Sequence, residues 1–182
     1  MIFIILILTS YIIGSIPSAV WVGKVFHNID IREHGSHNAG ATNTFRVLGN
    51  KWGWLVLIID VGKGFVAATV PLFLNPFFIG IKDELLILQL VASFCVIMGH
   101  VFPLFAQFRG GKGVATTLGI ILAINLETGL ICVGLFLIVF LFTRFVSLGA
   151  IVAAVFFPVI SFFVMKEDAR IMIVFSILIS LI

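Results

Sequence analysis

The stretch Gly35-Ser36-His37-Asn38-Ala39-Gly40-Ala41-Thr42-Asn43-Thr44-Phe45-Arg46 lies between two apolar runs, Ile2 to Val22 and Trp52 to Leu74. Each run is about as long as a helix that crosses a bilayer, roughly 20 residues. The polar stretch is therefore a loop at a membrane surface, and the chain reads as an all-α, polytopic helical membrane protein. Its makeup suits an anion. Ser36, Thr42 and Thr44 offer hydroxyls, and Asn38 and Asn43 offer amides. Arg46 offers a planar fork matched to phosphate, while Gly35 and Gly40 let backbone N–H groups come close.

The totals agree with that reading. Of 182 residues, 62% are hydrophobic and 10% charged, against about a quarter charged in soluble domains. Mean hydropathy is +1.29. The formal net charge of +3 is not gathered on a soluble face, so nucleic acid is set aside as a partner. Cys95 and Cys132 lie far apart in apolar runs, without metal-ligand spacing, so no metal site is expected. No Lys or Arg precedes the first apolar run and no cleavage pattern follows it, so that run is a transmembrane helix and not a signal peptide.

Six spans are expected, at about 2–22, 52–74, 85–98, 114–124, 129–142 and 147–164, followed by a seventh from Ile171 that stops at Ile182. All lie in one integral membrane domain, 1–182, with motif loops at 24–51 and 99–113. Gly14-Ser15-Ile16-Pro17-Ser18 interrupts the first span, and lipid tolerates such a break only where neighbouring helices or cavity water satisfy the freed backbone. Asn75-Pro76 ends the second span, and Lys82-Asp83-Glu84 leads back into the third. With the N-terminus outside, links after odd spans carry Lys24, Arg32, Arg46, Lys51, Arg109, Lys112 and Arg144; the others carry Lys82, Lys166 and Arg170. The positive-inside rule then makes the first set cytoplasmic.

That face also receives a second polar island, Gly99-His100-Val101-Phe102-Pro103 through Phe108-Arg109-Gly110-Gly111-Lys112-Gly113, with Thr116 and Thr117 opening the next helix. A glycine-rich turn leading into a helix start is a ready anion site. It is not a Walker A loop, because Gly113 follows Lys112 where Ser or Thr is needed. His100 is either a hydrogen-bonded structural histidine or part of the site. Asp60 and Lys63 sit inside the second span at i and i+3, on one helix face. Two readings stand for them: an internal ion pair, or a lysine that reaches an anionic substrate while the aspartate positions it. With no metal cluster and no acid to complete a Ser-His couple, phosphate recognition at a bilayer surface remains. A transporter of a phosphorylated metabolite is the alternative, although no repeated halves are visible.

Gly14-Ser15-Ile16-Pro17-Ser18, Gly35 through Asn43 with Arg46, Asp60 with Lys63-Gly64, and Gly99 through Pro103 with Gly110 through Thr116 resemble the bacterial membrane acyl-phosphate:glycerol-3-phosphate acyltransferases. The resemblance covers the chain from Ile2 to about Ser147. It implies transfer of a fatty acyl group from acyl phosphate to the 1-hydroxyl of glycerol 3-phosphate, giving lysophosphatidic acid and phosphate, the first step of phospholipid synthesis. It implies no cofactor, a multi-pass place in the bacterial cell membrane, and a site facing the cytoplasm. Partners would be the two substrates, membrane lipid and the enzyme that supplies acyl phosphate. Ser36, Arg46 and Lys112 would be catalytic. Asn38, Thr42, Asn43, Lys63, His100, Gly110, Gly111, Gly113, Thr116 and Ser147 would bind substrate.

His37 stands where members of that family commonly have Gly. Members also close with a cytoplasmic segment carrying a His, an Asn and a Glu, and none of it is present after Ile182. Twelve residues of helix reach only about 18 Å, short of a hydrocarbon layer of about 30 Å. The expectation is accordingly a C-terminally truncated chain, inactive or nearly so by itself. The expected chemistry needs no covalent enzyme intermediate, because acyl phosphate is already an activated anhydride. Placing two anionic substrates together and stabilising the developing charge would suffice.

Overall fold

In a computed structural model, residues 2–74, 82–164 and 173–177 are described. Among them every regular element is helical: α1 (Ile2–Gly14), α2 (Ser18–His27), α3 (Ala41–Leu48), α4 (Asn50–Leu74), α5 (Lys82–Val101), α6 (Val114–Ile124), α7 (Leu126–Thr143) and α8 (Val146–Val164), with 3₁₀ turns at Ile31–Glu33 and Leu104–Ala106. Residues 173–177 are also helical. Asn75-Pro76, Lys166, Arg170 and the remainder of the expected closing segment lie outside the described residues, as do the side chains of Lys82-Asp83-Glu84. The chain divides into two compact units, 1–120 and 121–182.

Among the described residues, five stretches are long and apolar enough to cross a membrane: Phe3–His27, Asn50–Phe73, Leu85–Ala106, Leu126–Thr143 and Val146–Val164. The expected fourth span, Val114–Ile124, is a shorter apolar helix of 11 residues. The first span is longer than its hydropathy indicated and is broken in the middle. Pro17 brings no N–H and its ring crowds the preceding turn, so α1 ends at Gly14 and α2 restarts at Ser18. The break is satisfied from a neighbouring helix, since Lys63 Nζ donates to the Ile16 carbonyl at 3.1 Å.

In the first unit the helices approach so closely that glycine is required at the crossings. A Cβ on Gly14 of α1 would strike the Val96 carbonyl of α5, and one on Gly99 would strike the Tyr11 carbonyl. The same pairing joins α4 to α6, where Gly64 faces the Thr116 carbonyl and Gly119 the Val61 carbonyl. Small residues at crossings let backbones pack without help from a hydrophobic gradient, which lipid does not supply. Leu6, Leu88 and Ala92 fill the α1–α5 contact, and Gln89 Nε2 ties α5 to the Ala68 carbonyl of α4 at 3.0 Å. Phe3, Ile4, Ile5, Leu8, Phe65, Val66 and Phe73 stay exposed, as lipid-facing residues must.

In the second unit α7 and α8 form a helical hairpin. Asn125 caps α7 by accepting from Thr128 N–H at 2.8 Å. Arg144, in the left-handed conformation at φ 61°, ends the helix by donating its N–H to the Phe140 carbonyl. Gly149 of α8 then packs on the Phe136 ring of α7.

Candidate functional site

The first polar stretch is a loop tied down by side chains. Asn28, left-handed at φ 54°, ends α2, and Ile29 N–H returns to the Gly23 carbonyl at 3.2 Å. Asp30 then caps the 3₁₀ turn by accepting from Arg32 N–H at 3.0 Å. Asn43 sits beneath the loop with no exposed surface. Its Oδ1 accepts from Ser36 N–H at 2.8 Å, and its Nδ2 donates to the carbonyls of Ile31 and His34, both at 3.0 Å. Gly35 passes directly over that amide at φ +62°, where a Cβ would strike Asn43 Oδ1. His37 takes a left-handed φ of 59°, a conformation that glycine adopts at less cost. Gly40 is extended at φ −138° and caps α3, with Thr44 Oγ1 donating to its carbonyl at 3.1 Å.

The second stretch is folded by its backbone. Pro103 O receives Ala106 N–H at 3.2 Å and Phe108 N–H at 2.9 Å. The chain then reverses through Gln107 and Phe108, both at φ 58°. Gly110 N–H returns to the Val101 carbonyl at 3.0 Å and Gly111 N–H to the His100 carbonyl at 3.2 Å. Neither glycine tolerates a side chain. A Cβ on Gly110 would strike the His100 carbonyl, and one on Gly111 would strike His100 Nε2 and lie 2.9 Å from the Ala39 carbonyl. Gly111 is thus where the two islands touch. Gly113, at φ +78°, turns the chain into α6.

A buried polar cluster lies under this junction. Asp60, 1% exposed, accepts from Ser18 Oγ at 2.6 Å and pairs with Lys63 Nζ at 2.9 Å. Nδ1 of the buried His100 is 3.7 Å from the same carboxylate oxygen, beyond hydrogen-bond reach.

The expected site residues fall into two sets. Ser36, Thr42, Arg46 and Lys112 are exposed and Asn38 is half-buried. Neither Arg46 nor Lys112 is paired with an acid among the described residues. Asn43, Lys63, His100, Gly111, Gly113 and Thr116 are buried, and Gly110 is partly so. Within the buried set, Lys63 faces Asp60 and the Ile16 carbonyl. The wholly enclosed Thr116 leaves its hydroxyl without a partner among the described residues. Ser147 stands in the first turn of α8, in the second unit.

One connection was missed at the sequence level. Arg32 holds Asp30 with both ends of its guanidinium, Nε to Oδ1 at 2.9 Å and Nη2 to Oδ2 at 2.7 Å. Its Nη1 crosses to the second loop, 2.8 Å from the Ala106 carbonyl and 3.3 Å from that of Arg109. Hydrogen bonding to Arg32 holds the Asp30 carboxyl far below the usual range, and Asp30 in turn raises the Arg32 pKa. A cavity of about 300 Å³ opens beside this pair, bounded by Trp21, Lys24, Glu33, Phe105 and Arg109. The only available signal was a local Asp-x-Arg pair, which reads as a surface ion pair until the partner loop is in place.

The comparisons with known proteins point one way. The family profile described as Glycerol-3-phosphate acyltransferase matches residues 4–182. A glycerol-3-phosphate acyltransferase of Fusobacterium nucleatum is 46% identical over 168 residues, covering 92% of this chain and 82% of that protein. One from Listeria monocytogenes is 45% identical over 160 residues, covering 88% and 78%. The crystal structure of PlsY, an integral membrane glycerol 3-phosphate acyltransferase, in its glycerol 3-phosphate form, superposes with a TM-score of 0.85 at 30% identity. It covers 99% of this chain and 85% of that one. Its lysophosphatidic acid form gives 0.79. Family, relatives and fold agree: the chain belongs to the glycerol-3-phosphate acyltransferase family.

Proposed function

We propose that the chain transfers a fatty acyl group from acyl phosphate to the 1-hydroxyl of glycerol 3-phosphate, releasing lysophosphatidic acid and inorganic phosphate. The observation that carries the reading is the family match along residues 4–182, and the pair of PlsY structures named for glycerol 3-phosphate and lysophosphatidic acid supports it. The loops are consistent with it. Arg46 and Lys112 are exposed cations on two islands that meet at Gly111, a disposition suited to two phosphorylated substrates that repel each other.

In this reading Arg46 and Lys112 neutralise the substrate phosphates and stabilise charge on the leaving phosphate. Ser36 donates to the reacting group, and the Gly110-Gly111 turn, its own N–H groups held by the Val101 and His100 carbonyls, sets Lys112 toward glycerol 3-phosphate. Acyl phosphate supplies the activation, so the protein acts by placement. Asn38, Thr42 and Ser147 would complete the substrate contacts. Lys63, His100, Asn43 and Thr116 would serve from beneath, shaping the loops without meeting the phosphate.

The chain would lie in the bacterial cell membrane with its N-terminus outside, the short helix Val114–Ile124 making a sixth crossing only together with its flanking loop residues, and both islands facing the cytoplasm, where the acyl-phosphate-producing enzyme would act. Cysteine at Asn50 should then react with an impermeant reagent only from the cytoplasmic side, and cysteine at Glu127 only from outside. Activity is tested by supplying the purified chain in detergent with acyl phosphate and glycerol 3-phosphate, then measuring lysophosphatidic acid and released phosphate in equal amounts. Absence of both products would overturn the reading.

A further inference from the structure

We propose that Arg32, braced by Asp30, is a positioning residue that sets the second loop at a fixed distance from the first. The proposal rests on the reading above, in which Ser36 and Arg46 of one loop act together with Lys112 of the other. Three features of the guanidinium support it. Two of its nitrogens are taken by Asp30 in a bidentate pair, so its plane is fixed by its own loop. Its third nitrogen reaches the carbonyls of Ala106 and Arg109, which flank the left-handed reversal at Gln107 and Phe108. The side chain is only 11% exposed, so the contact is enclosed and only weakly screened.

The acceptors are backbone oxygens, which decides what the residue does. With Nε, Nη1 and Nη2 all engaged inside the protein, Arg32 is not arranged as a phosphate ligand. Its reach runs to Ala106 and Arg109, within the four residues before Gly110, and Gly110 and Gly111 are in turn pinned to the carbonyls of Val101 and His100. Releasing the Arg32 end would leave residues 104–109 held by their own short turn and the Phe105–Trp21 ring contact, with no polar tie to the first loop, and Lys112 would lose its register with Arg46. A lysine cannot substitute, because a point donor does not span a carboxylate and two carbonyls at once.

The test uses the purified 182-residue chain in lipid nanodiscs with Arg32→Lys and Arg32→Gln. Hydrogen exchange is followed in peptides covering 104–111, and steady-state kinetics are measured with both substrates. We expect faster exchange in 104–111 for both variants, although the substitution is more than 70 residues away in sequence, with exchange in α4 unchanged. We expect kcat to fall by about ten- to a hundredfold, as misplacement of reacting groups by about an ångström does, with both KM values little altered. Unchanged exchange in 104–111 would overturn the proposal. So would a defect confined to the KM of one substrate, which would make Arg32 a ligand. If the wild-type chain transfers no acyl group, the functional reading fails, and the exchange result still decides whether Arg32 holds the loop.

Discussion

The two polar loops solve the same problem by opposite means. The first is pinned from below by side chains, since Asn43 alone supplies one acceptor and two donors to three loop backbone groups. The second is pinned by its own backbone, with glycines lying so close to His100, Val101 and Ala39 that no Cβ fits. A side-chain lock leaves the loop free to display Ser36, Thr42 and Arg46 on its outer surface. A backbone lock takes up the N–H groups of Gly110 and Gly111 and leaves the cations Arg109 and Lys112 outward. The difference teaches that these islands are complementary halves: one provides varied side chains, the other a close-fitting peptide surface.

Arg46→Ala gives the sharpest separation of display from support. Arg46 is exposed and unpaired among the described residues, so thermal unfolding in detergent should be unchanged while turnover falls by about a thousandfold, as expected for a charged contact made in the transition state. Near-normal turnover would remove Arg46 from the site. Gly111→Ala comes next, with turnover down by about a hundredfold and a raised KM for glycerol 3-phosphate. The added methyl group meets His100 Nε2 and the Ala39 carbonyl and must push the islands apart. Unchanged kinetics would show that the junction is not part of the reacting geometry.

Asn43→Ala should act in the reverse sense to Arg46→Ala. It removes three hydrogen bonds at a fully buried position and leaves backbone groups unsatisfied, at a cost of about 3 kcal/mol. Unfolding should therefore occur at lower temperature, with turnover reduced about tenfold through the loosened Ser36. A variant with wild-type unfolding and a large loss of turnover would instead place Asn43 against substrate.

Much of this was legible from the chain. Hydropathy located the five long apolar stretches seen among the described residues, and the Gly/Asn/Ser/Arg composition located both loops, because bilayer thickness and tight turns each impose local patterns. The break at Pro17 was legible for the same reason, while its remedy stood open in sequence between a neighbouring helix and cavity water, and Lys63 Nζ on the Ile16 carbonyl decides it. Roles within the loops were harder to read. Asn43 and Arg46 look equally available to a ligand in sequence, yet one faces inward because α3 is amphipathic and its buried side meets the Ile31 turn. Gly64 and Gly119 give no sign in sequence that they serve helix crossings. The Arg32 bridge joins residues 74 and 77 positions apart, and no local pattern encodes a partner at that distance.

The smallest effect tests the charge in the first loop's lock. Asp30 holds Arg32 and Lys24, at 2.7 and 3.5 Å, and the hydrogen bond from Arg32 depresses its pKa far below the value of about 3.9 expected in an unfolded chain. A carboxyl depressed in the folded state contributes stability that is fully present above its unfolded pKa and is lost as pH falls toward the folded one. The difference in unfolding temperature between wild type and Asp30→Asn should accordingly stay constant from about pH 5 to pH 8, then narrow below about pH 4. Arg32 remains charged throughout, with its own pKa raised by Asp30, so it adds no titration in that window. Salt should reduce the difference only slightly, because both side chains are largely enclosed, at 11% and 14% exposure. A difference that shrinks steadily between pH 8 and pH 5, or one that vanishes in molar salt, would show that the pair is a solvated surface contact and that the first loop is held by Asn43 without it.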